Sequence, residues 1–199
     1  MAVAPIQHRS AAFWDGIYAA PDTTFEPIPP DEIHRFQDRT GVAPGQVAVD
    51  IGTGLGEWAS QMARLGLLVT GYDFSPVAIE RARRLHGKDG AMLRFETHDF
   101  DADPIPGHLR TGTIDLVSCR HVLQFLEIPR FMDDARRWLR KDGVLHVTTV
   151  VTEKLRDGRH IGLHEEQVRA LAQGWREFDR YDLDGRGETT AIVLRGPNG

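Results

Sequence analysis

A chain of 199 residues with 41% hydrophobic and 27% charged side chains holds enough apolar material for one domain with a sizeable core, which excludes disorder. Its net charge of -5 gives no overall basic field for nucleic acid, and no uncharged apolar stretch reaches the roughly 18 residues a membrane helix needs. A single cysteine excludes a disulfide framework and a cysteine-rich zinc site, and with no signal-like apolar run in MAVAPIQHRS it points to a soluble cytoplasmic protein.

Residues 1–42 differ in character from the rest and read as a helical arm folded over the domain 43–199. Phe13, Trp14 and Tyr18 suit a short helix; Pro27, Pro29 and Pro30 break the chain before a second helix at Asp31 to Asp38. From residue 47 onward β-rich runs alternate with amphipathic helical segments, the pattern of a parallel sheet covered by helices. The first strand is Val47 to Ile51, followed by a glycine-rich turn and a helix with Trp58, Met62 and Leu65 on one face. The second strand, Leu67 to Asp73, ends in an acid. Ser75-Pro76 then supplies an N-cap and a first-turn proline for a helix that buries Ala78, Ala82 and Leu85 and turns Arg81, Arg83 and Arg84 outward.

A third strand, Ala91 to Thr97, leads into His98-Asp99-Phe100, and a fourth, Thr113 to Cys119, into Arg120-His121. The next helix turns Phe131, Ala135, Trp138 and Leu139 inward. Lys141-Asp142-Gly143 should end it and start a fifth strand, Val144 to Val150. A helix around Glu165 to Ala172 precedes strands at Arg176 to Asp184 and Thr189 to Leu194. Gly185-Arg186-Gly187 between those strands reads as a hairpin turn, so the final pair should be antiparallel.

The sharpest signal is Asp50-Ile51-Gly52-Thr53-Gly54-Leu55-Gly56. Glycines between a parallel strand and the following helix let the backbone pass very close to a ligand. A dinucleotide turn spaces them Gly-x-Gly-x-x-Gly; here the spacing is Gly-x-Gly-x-Gly, with Asp50 before it and Glu57 after it. A carboxylate at that place has the wrong sign for a pyrophosphate and the right sign for an ammonium or sulfonium. Asp73 closes the second strand where a carboxylate can accept both hydroxyls of a ribose, and it could equally serve the Ser75 helix start. Asp99 could hold an adenine amino group, with Phe74 or Phe100 against the ring face. Three acids at three successive strand ends share one rim of the sheet, where ligands of open α/β sheets bind.

DIGTGLG, the Tyr72-Asp73 strand end, His98-Asp99-Phe100 and IDLVSCRHVLQFL together resemble, in order and spacing, the successive motifs of class I S-adenosylmethionine-dependent methyltransferases. The resemblance spans about residues 45 to 195. It implies a Rossmann-like, mostly parallel seven-stranded sheet with helices on both faces and an antiparallel final strand. It also implies S-adenosyl-L-methionine as cofactor, S-adenosyl-L-homocysteine as product, and methyl transfer to a small molecule. The cofactor contacts it implies are Asp50, Gly52, Thr53, Gly54, Gly56, Asp73, Phe74, Ser75, Asp99 and Phe100. FWDGIYAAPDTTF, Arg120 and the ending LHEEQVRALAQGWREFDRYDL look like the tellurite-resistance and thiopurine methyltransferase branch, which adds Trp14 and Arg120 as cofactor contacts; Tyr18 joins them as part of the arm expected to cover the site. The Pro-rich arm departs from that branch.

Methyl transfer from a sulfonium needs alignment and exclusion of water, and an oxygen or nitrogen acceptor also needs a base. His121 is the candidate base, against a helix-entry role in which it only bonds backbone. With no large insertion after the fifth strand, the arm with Trp14 and Tyr18 should form the lid. A nicotinamide-dependent oxidoreductase, or a protein that binds the cofactor without transferring its methyl, are the rival readings. Asp99, Asp101 and Asp103 lack the glycine and closing acid of a calcium loop, and His160 and His164 lack a zinc helix, so no metal is expected. His98 and Asp99 are neighbours on a strand end, so their side chains diverge and form no dyad. Cys119 reads as a buried small hydrophobe.

Overall fold

The computed structural model describes residues 10–24, 27–87, 90–155 and 161–197; the amino-terminal 1–9 of the arm and His160 of the discounted metal pair lie outside them. Seven strands form one sheet in the order β3-β2-β1-β4-β5-β7-β6. They are β1 (Val47–Ile51), β2 (Leu68–Asp73), β3 (Leu93–Thr97), β4 (Ile114–Arg120), β5 (Leu139–Val150), β6 (Trp175–Asp182) and β7 (Thr189–Pro197). β1 pairs in parallel with β2 and β4, as do β2 with β3 and β4 with β5. Only β7 runs against its neighbours, β5 and β6. The chain winds outward from β1 to β3, then returns to β4 on the other side of β1. The crevice at that reversal, beyond the carboxyl ends of the strands, is where such sheets bind ligands.

Parallel strands need crossovers, and the sequence supplies amphipathic helices for them. α3 (Glu57–Arg64), α4 (Pro76–His86) and α5 (Ile128–Trp138) fill this role; α6 (Glu165–Ala170) precedes β6. Because side chains alternate along a strand, neighbouring residues feed two cores. Val49, Ile51, Val117, Cys119, Leu145 and Val147 meet Phe131, Ala135 and Trp138 of α5 on one face. Ala48, Val69, Leu116 and Val144 meet Trp58 and Met62 of α3, and Ile79 of α4, on the other.

The arm is two helices, α1 (Ala11–Ala19) and α2 (Pro30–Thr40). On α2, Phe36 is fully buried with its ring 4.9 Å from Trp58 and 4.9 Å from His146. Arg81 does not turn outward as expected. Its guanidinium donates to the carbonyls of Tyr18, Ala20 and Thr23 at 2.6, 2.9 and 3.1 Å, clasping the end of α1 and the turn that follows it.

Other expectations are corrected. Leu85, placed inward by its spacing, is 59% exposed, because only Ala78, Ile79 and Ala82 of α4 face the sheet. Lys141-Asp142-Gly143 is not the break between α5 and the next strand. The helix stops at Trp138 and extended backbone starts at Leu139, with a register shift absorbing the irregularity between Ile114 and Leu116. A single helical turn at Gly90–Met92 delays β3 to Leu93. The Gly185–Gly187 turn holds as expected, and Asp184 accepts the backbone N–H of Arg186, Glu188 and Thr189. No helix among the described residues is long and apolar enough to cross a membrane.

Replacing Arg81 by Ala should loosen α1 by about 1–2 kcal/mol while the two sheet-facing cores stay intact. Limited proteolysis should then cut near residues 20–24 several-fold faster with little change in the main unfolding transition; equal cutting rates would refute the clasp.

Candidate active site

The turn after β1 is built from glycines that only glycine can fill. Gly52, Gly54 and Gly56 have φ of 68, 55 and 81°, in the left-handed region. A Cβ on Gly52 would stand 2.5 Å from Val122 Cγ2, and one on Gly54 3.0 Å from the Tyr18 hydroxyl. Gly56 serves another purpose. Its missing side chain makes room for Phe95, 2.5 Å from where a Cβ would be, and it lines neither cavity described below.

Asp50 is 2% exposed at the end of β1 and accepts the Thr53 hydroxyl at 2.7 Å. Burial pushes its pKa up to about 7, against the opposing pull of Thr53 and Arg120. Asp73, at the end of β2, accepts the N–H of Gly54 and the N–H of Ser75, both at 2.9 Å. Burial raises its pKa as well. Ser75 does not face the crevice. Its hydroxyl caps α4 through the Ala78 N–H at 3.1 Å and donates to Asp15 at 2.5 Å, so the capping alternative accounts for it. Asp99 lies on the same rim, with one carboxylate oxygen accepting the N–H of Asp101 and Ala102 at 2.9 and 3.2 Å.

Two cavities adjoin over this rim. The larger, about 400 Å³, has Asp50, Gly52, Thr53, Gly54, Asp73 and Phe74 on its floor. Trp14 and Tyr18 of α1 close it from above, together with Trp58, Val122 and Phe125. The smaller, about 220 Å³, shares Gly52, Asp73, Phe74, Val122 and Phe125 and adds His98, Asp99 and Phe100. Eleven of the thirteen cofactor contacts expected from the sequence therefore stand on one continuous groove: Trp14, Tyr18, Asp50, Gly52, Thr53, Gly54, Asp73, Phe74, Asp99, Phe100 and Arg120. His121 joins them. Among the described residues no group of His, Cys, Asp and Glu is placed to hold a metal ion. His164 instead bonds Glu153 at 2.8 Å.

Arg120 lines the larger cavity but its guanidinium is engaged. Its Nε and Nη2 donate to Glu32 of α2 at 3.2 and 3.1 Å, and its charge lies 5.9 Å from the Trp58 ring. The pair spans arm and sheet. His121 has φ 58°, the one non-glycine residue with positive φ among those described. Its N–H donates to the Thr148 carbonyl at 2.8 Å and its own carbonyl accepts from Gln124 at 2.9 Å. Burial, helped by Arg120, lowers its pKa to about 4, so the imidazole is neutral at physiological pH.

Residues 49–147 match a family model described as a methyltransferase domain, a span that contains the glycine turn, all three acids, Arg120 and His121. The chain belongs to the class I S-adenosylmethionine-dependent methyltransferase family. Over 138 residues this methyltransferase is 31% identical to the mitochondrial ubiquinone biosynthesis O-methyltransferase of Schizosaccharomyces pombe, an alignment that covers 69% of the chain and 50% of that protein. Over 183 residues it is 26% identical to the ubiquinone biosynthesis O-methyltransferase of Actinobacillus pleuropneumoniae, covering 88% and 75%. It thus spans half the length of the first relative and three quarters of the second. The structure superposes on the N-methyltransferase NodS of Bradyrhizobium japonicum, solved with S-adenosyl-L-homocysteine, with TM-score 0.72 and 18% identity over 94% of this chain and 98% of that one. That likeness establishes the shared fold.

The groove suits the family's cofactor. Two buried carboxylates with raised pKa values face a cavity without a cation other than the Glu32-paired Arg120, and a positively charged nucleoside would satisfy them. Two residues beyond the sequence reading support it. Glu32, in the first turn of α2, lines neither cavity but holds Arg120; it has a sufficient local explanation in the helix dipole, and nothing in the sequence pairs it with a residue 88 positions away. Trp58 sits at core spacing, yet its Nε1–H donates to Ser118 at 2.8 Å beside the cavity.

Gly52→Ala should lose 2 kcal/mol or so of stability, since left-handed backbone alone costs an alanine about 1–2 kcal/mol and the Val122 overlap adds to it. Chemical denaturation tests this; wild-type stability would show that the turn has slack.

Proposed function

We propose that this methyltransferase moves the methyl group of S-adenosyl-L-methionine to a hydroxyl oxygen of a small, largely apolar acceptor. One observation carries the reading: a single groove joins a floor of buried acids to an aromatic roof, with a neutral histidine at its side. The names of two relatives, both O-methyltransferases, support oxygen as the attacked atom. A cytoplasmic setting suits the single, buried Cys119.

When bound, the cofactor supplies an electrophilic methyl on a sulfonium, which is already a leaving group. Asp50 would take the ammonium of the amino-acid portion and Asp73 the ribose hydroxyls; Phe74, Phe100 and Asp99 would hold the nucleobase. Gly52, Thr53 and Gly54 let the backbone come close. Trp14, Tyr18 and Phe125 exclude water, which strengthens every charge interaction beneath them. Arg120 offers its cavity side to the carboxylate of the amino-acid portion while Glu32 holds it in place.

His121 receives the acceptor's proton, and magnitudes decide when. Moving a proton from a phenol of pKa near 10 to an imidazole of pKa about 4 is uphill by roughly 8 kcal/mol. Transfer ahead of attack would consume much of any rate gain, so His121 takes the proton as the carbon–oxygen bond forms. An aliphatic hydroxyl is several units weaker still as an acid, so the geometry favours phenolic acceptors.

Labelled cofactor offered to panels of phenols, alcohols, amines and thiols should give product chiefly with phenols. His121→Ala should lower turnover about 10²-fold with S-adenosyl-L-homocysteine affinity unchanged. Tight cofactor binding with no product from any panel would sink the transferase reading, and full turnover in His121→Ala would remove the base. Asp50 gives a pH test. A carboxyl raised to about 7 is mostly protonated at pH 6 and must ionise to meet an ammonium. Affinity for S-adenosyl-L-homocysteine should rise as pH climbs through 7. Calorimetry in buffers of different ionisation enthalpy should show nearly one proton released at pH 6, almost none at pH 8, and none with Asp50→Asn.

A further inference from the structure

His121 holds a φ of 58°, which a residue with a β-carbon resists, so its surroundings must keep it there. Two hydrogen bonds do so. On one side of its Cα, the N–H donates to the Thr148 carbonyl of β5 at 2.8 Å. On the other side, its carbonyl accepts from Nε2 of the Gln124 side chain at 2.9 Å. The first bond fixes the peptide plane before His121 and the second fixes the plane after it. Only φ and ψ turn freely between those planes, so together the bonds set the direction of the Cα–Cβ bond. That direction puts the imidazole on the wall of the larger cavity.

Gln124 is itself well anchored. It sits in the single helical turn Leu123–Phe125, between Leu123, which is fully buried, and Phe125, which lines both cavities. A carbonyl oxygen cannot bond another oxygen without a proton, so the His121 contact obliges the amide to present its NH2 group. Its Oε1 is then buried without a hydrogen-bond partner among the described residues. An unpaired buried oxygen costs stability. The amide thus makes one useful bond, to His121, at the expense of one oxygen left unpaired, and folding alone gives little reason to keep it.

We propose that Gln124 is a positioning residue for methyl transfer: its amide holds the backbone of His121 so that the imidazole faces the acceptor. This rests on the base reading given above. Gln124 lines neither cavity, so it acts through His121 and not by touching the acceptor. One neutral hydrogen bond and the penalty for a β-carbon in left-handed backbone are of similar size. Loss of the bond should therefore let the backbone relax to ordinary φ in a sizeable share of molecules, and the ring leaves the wall with it.

The test compares Gln124→Leu, His121→Ala and the double variant in the full chain. With labelled cofactor and the panel of phenols, Gln124→Leu should lower turnover about 3- to 10-fold, the worth of one neutral hydrogen bond. Calorimetric affinity for S-adenosyl-L-homocysteine and the midpoint of unfolding should stay close to wild type. Gln124→Met, which has the same length and no donor, should behave alike. In the His121→Ala background the leucine substitution should cause no further loss. A second readout needs no acceptor. Burial and the Arg120 charge hold His121 at a pKa of about 4, so its ring resonances should titrate there in wild type. In Gln124→Leu the midpoint should move up toward the ordinary value of about 6.5 as the ring reaches water. Wild-type turnover in Gln124→Leu beside a slow His121→Ala, equal losses with and without His121, or a titration that stays near 4 would each overturn the assignment to Gln124. Full turnover in His121→Ala would overturn the base reading instead, and the titration would still decide whether Gln124 sets the ring.

Discussion

Asp50 and Asp73 stand at the carboxyl ends of adjacent parallel strands, both nearly out of water, and each meets the glycine turn between them. Asp50 is tied to Thr53 and Asp73 to the Gly54 N–H. Taking a carboxylate out of water without a cation is expensive, and the fold tolerates it by allowing the group to hold its proton. The rest of the groove is arranged around that imbalance. The turn has positive φ where its backbone reaches Asp73, which stands two residues further along the sheet than Asp50, whose register partner is Gly71. Trp14 and Tyr18 of the arm line the cavity that these acids face.

Three of the contacts that bind the arm lie on the elements around the groove. Arg81 of α4 holds the carbonyl end of α1, Asp15 of α1 meets the Ser75 cap of α4, and Glu32 of α2 meets Arg120 of β4. Ser75 follows Asp73 by two residues and Arg120 precedes His121 directly. Two of these contacts are therefore made by near neighbours of the groups that line the groove. A disturbance of the lid reaches the acids and the histidine through one or two bonds of chain, without any long pathway.

Much of the site was legible in the sequence because its signals are local. A glycine run after an apolar strand, an acid closing the next strand, and Ser-Pro before an amphipathic run each determine their own geometry within a few residues. The hairpin at Gly185–Gly187 belongs to the same class, and so the antiparallel placement of β7 could be anticipated. What escaped was set by partners far away in the chain. Arg81 on an apparently exposed face finds carbonyls about 60 positions back. Glu32, an ordinary first-turn acid, finds Arg120. Leu85 has core spacing on a helix whose sheet is too narrow there to cover it. Lys141-Asp142-Gly143 has turn composition, but tertiary pairing with β4 draws it into strand β5. Ser75 and Gly56, expected as cofactor contacts, line neither cavity and have scaffold duties instead: one caps α4, the other admits Phe95.

The backbone at His121 carries a further implication. Its conformation is one that glycine adopts freely and that a β-carbon resists, held here by a bond to β5 and another from Gln124. Folding alone would be better served by glycine at that place. An imidazole kept there against the local preference stores a small, standing tension in the loop, released whenever the Thr148 bond opens. The loop between β4 and α5 thus places its histidine on the cavity wall at the cost of a backbone conformation that its own side chain disfavours.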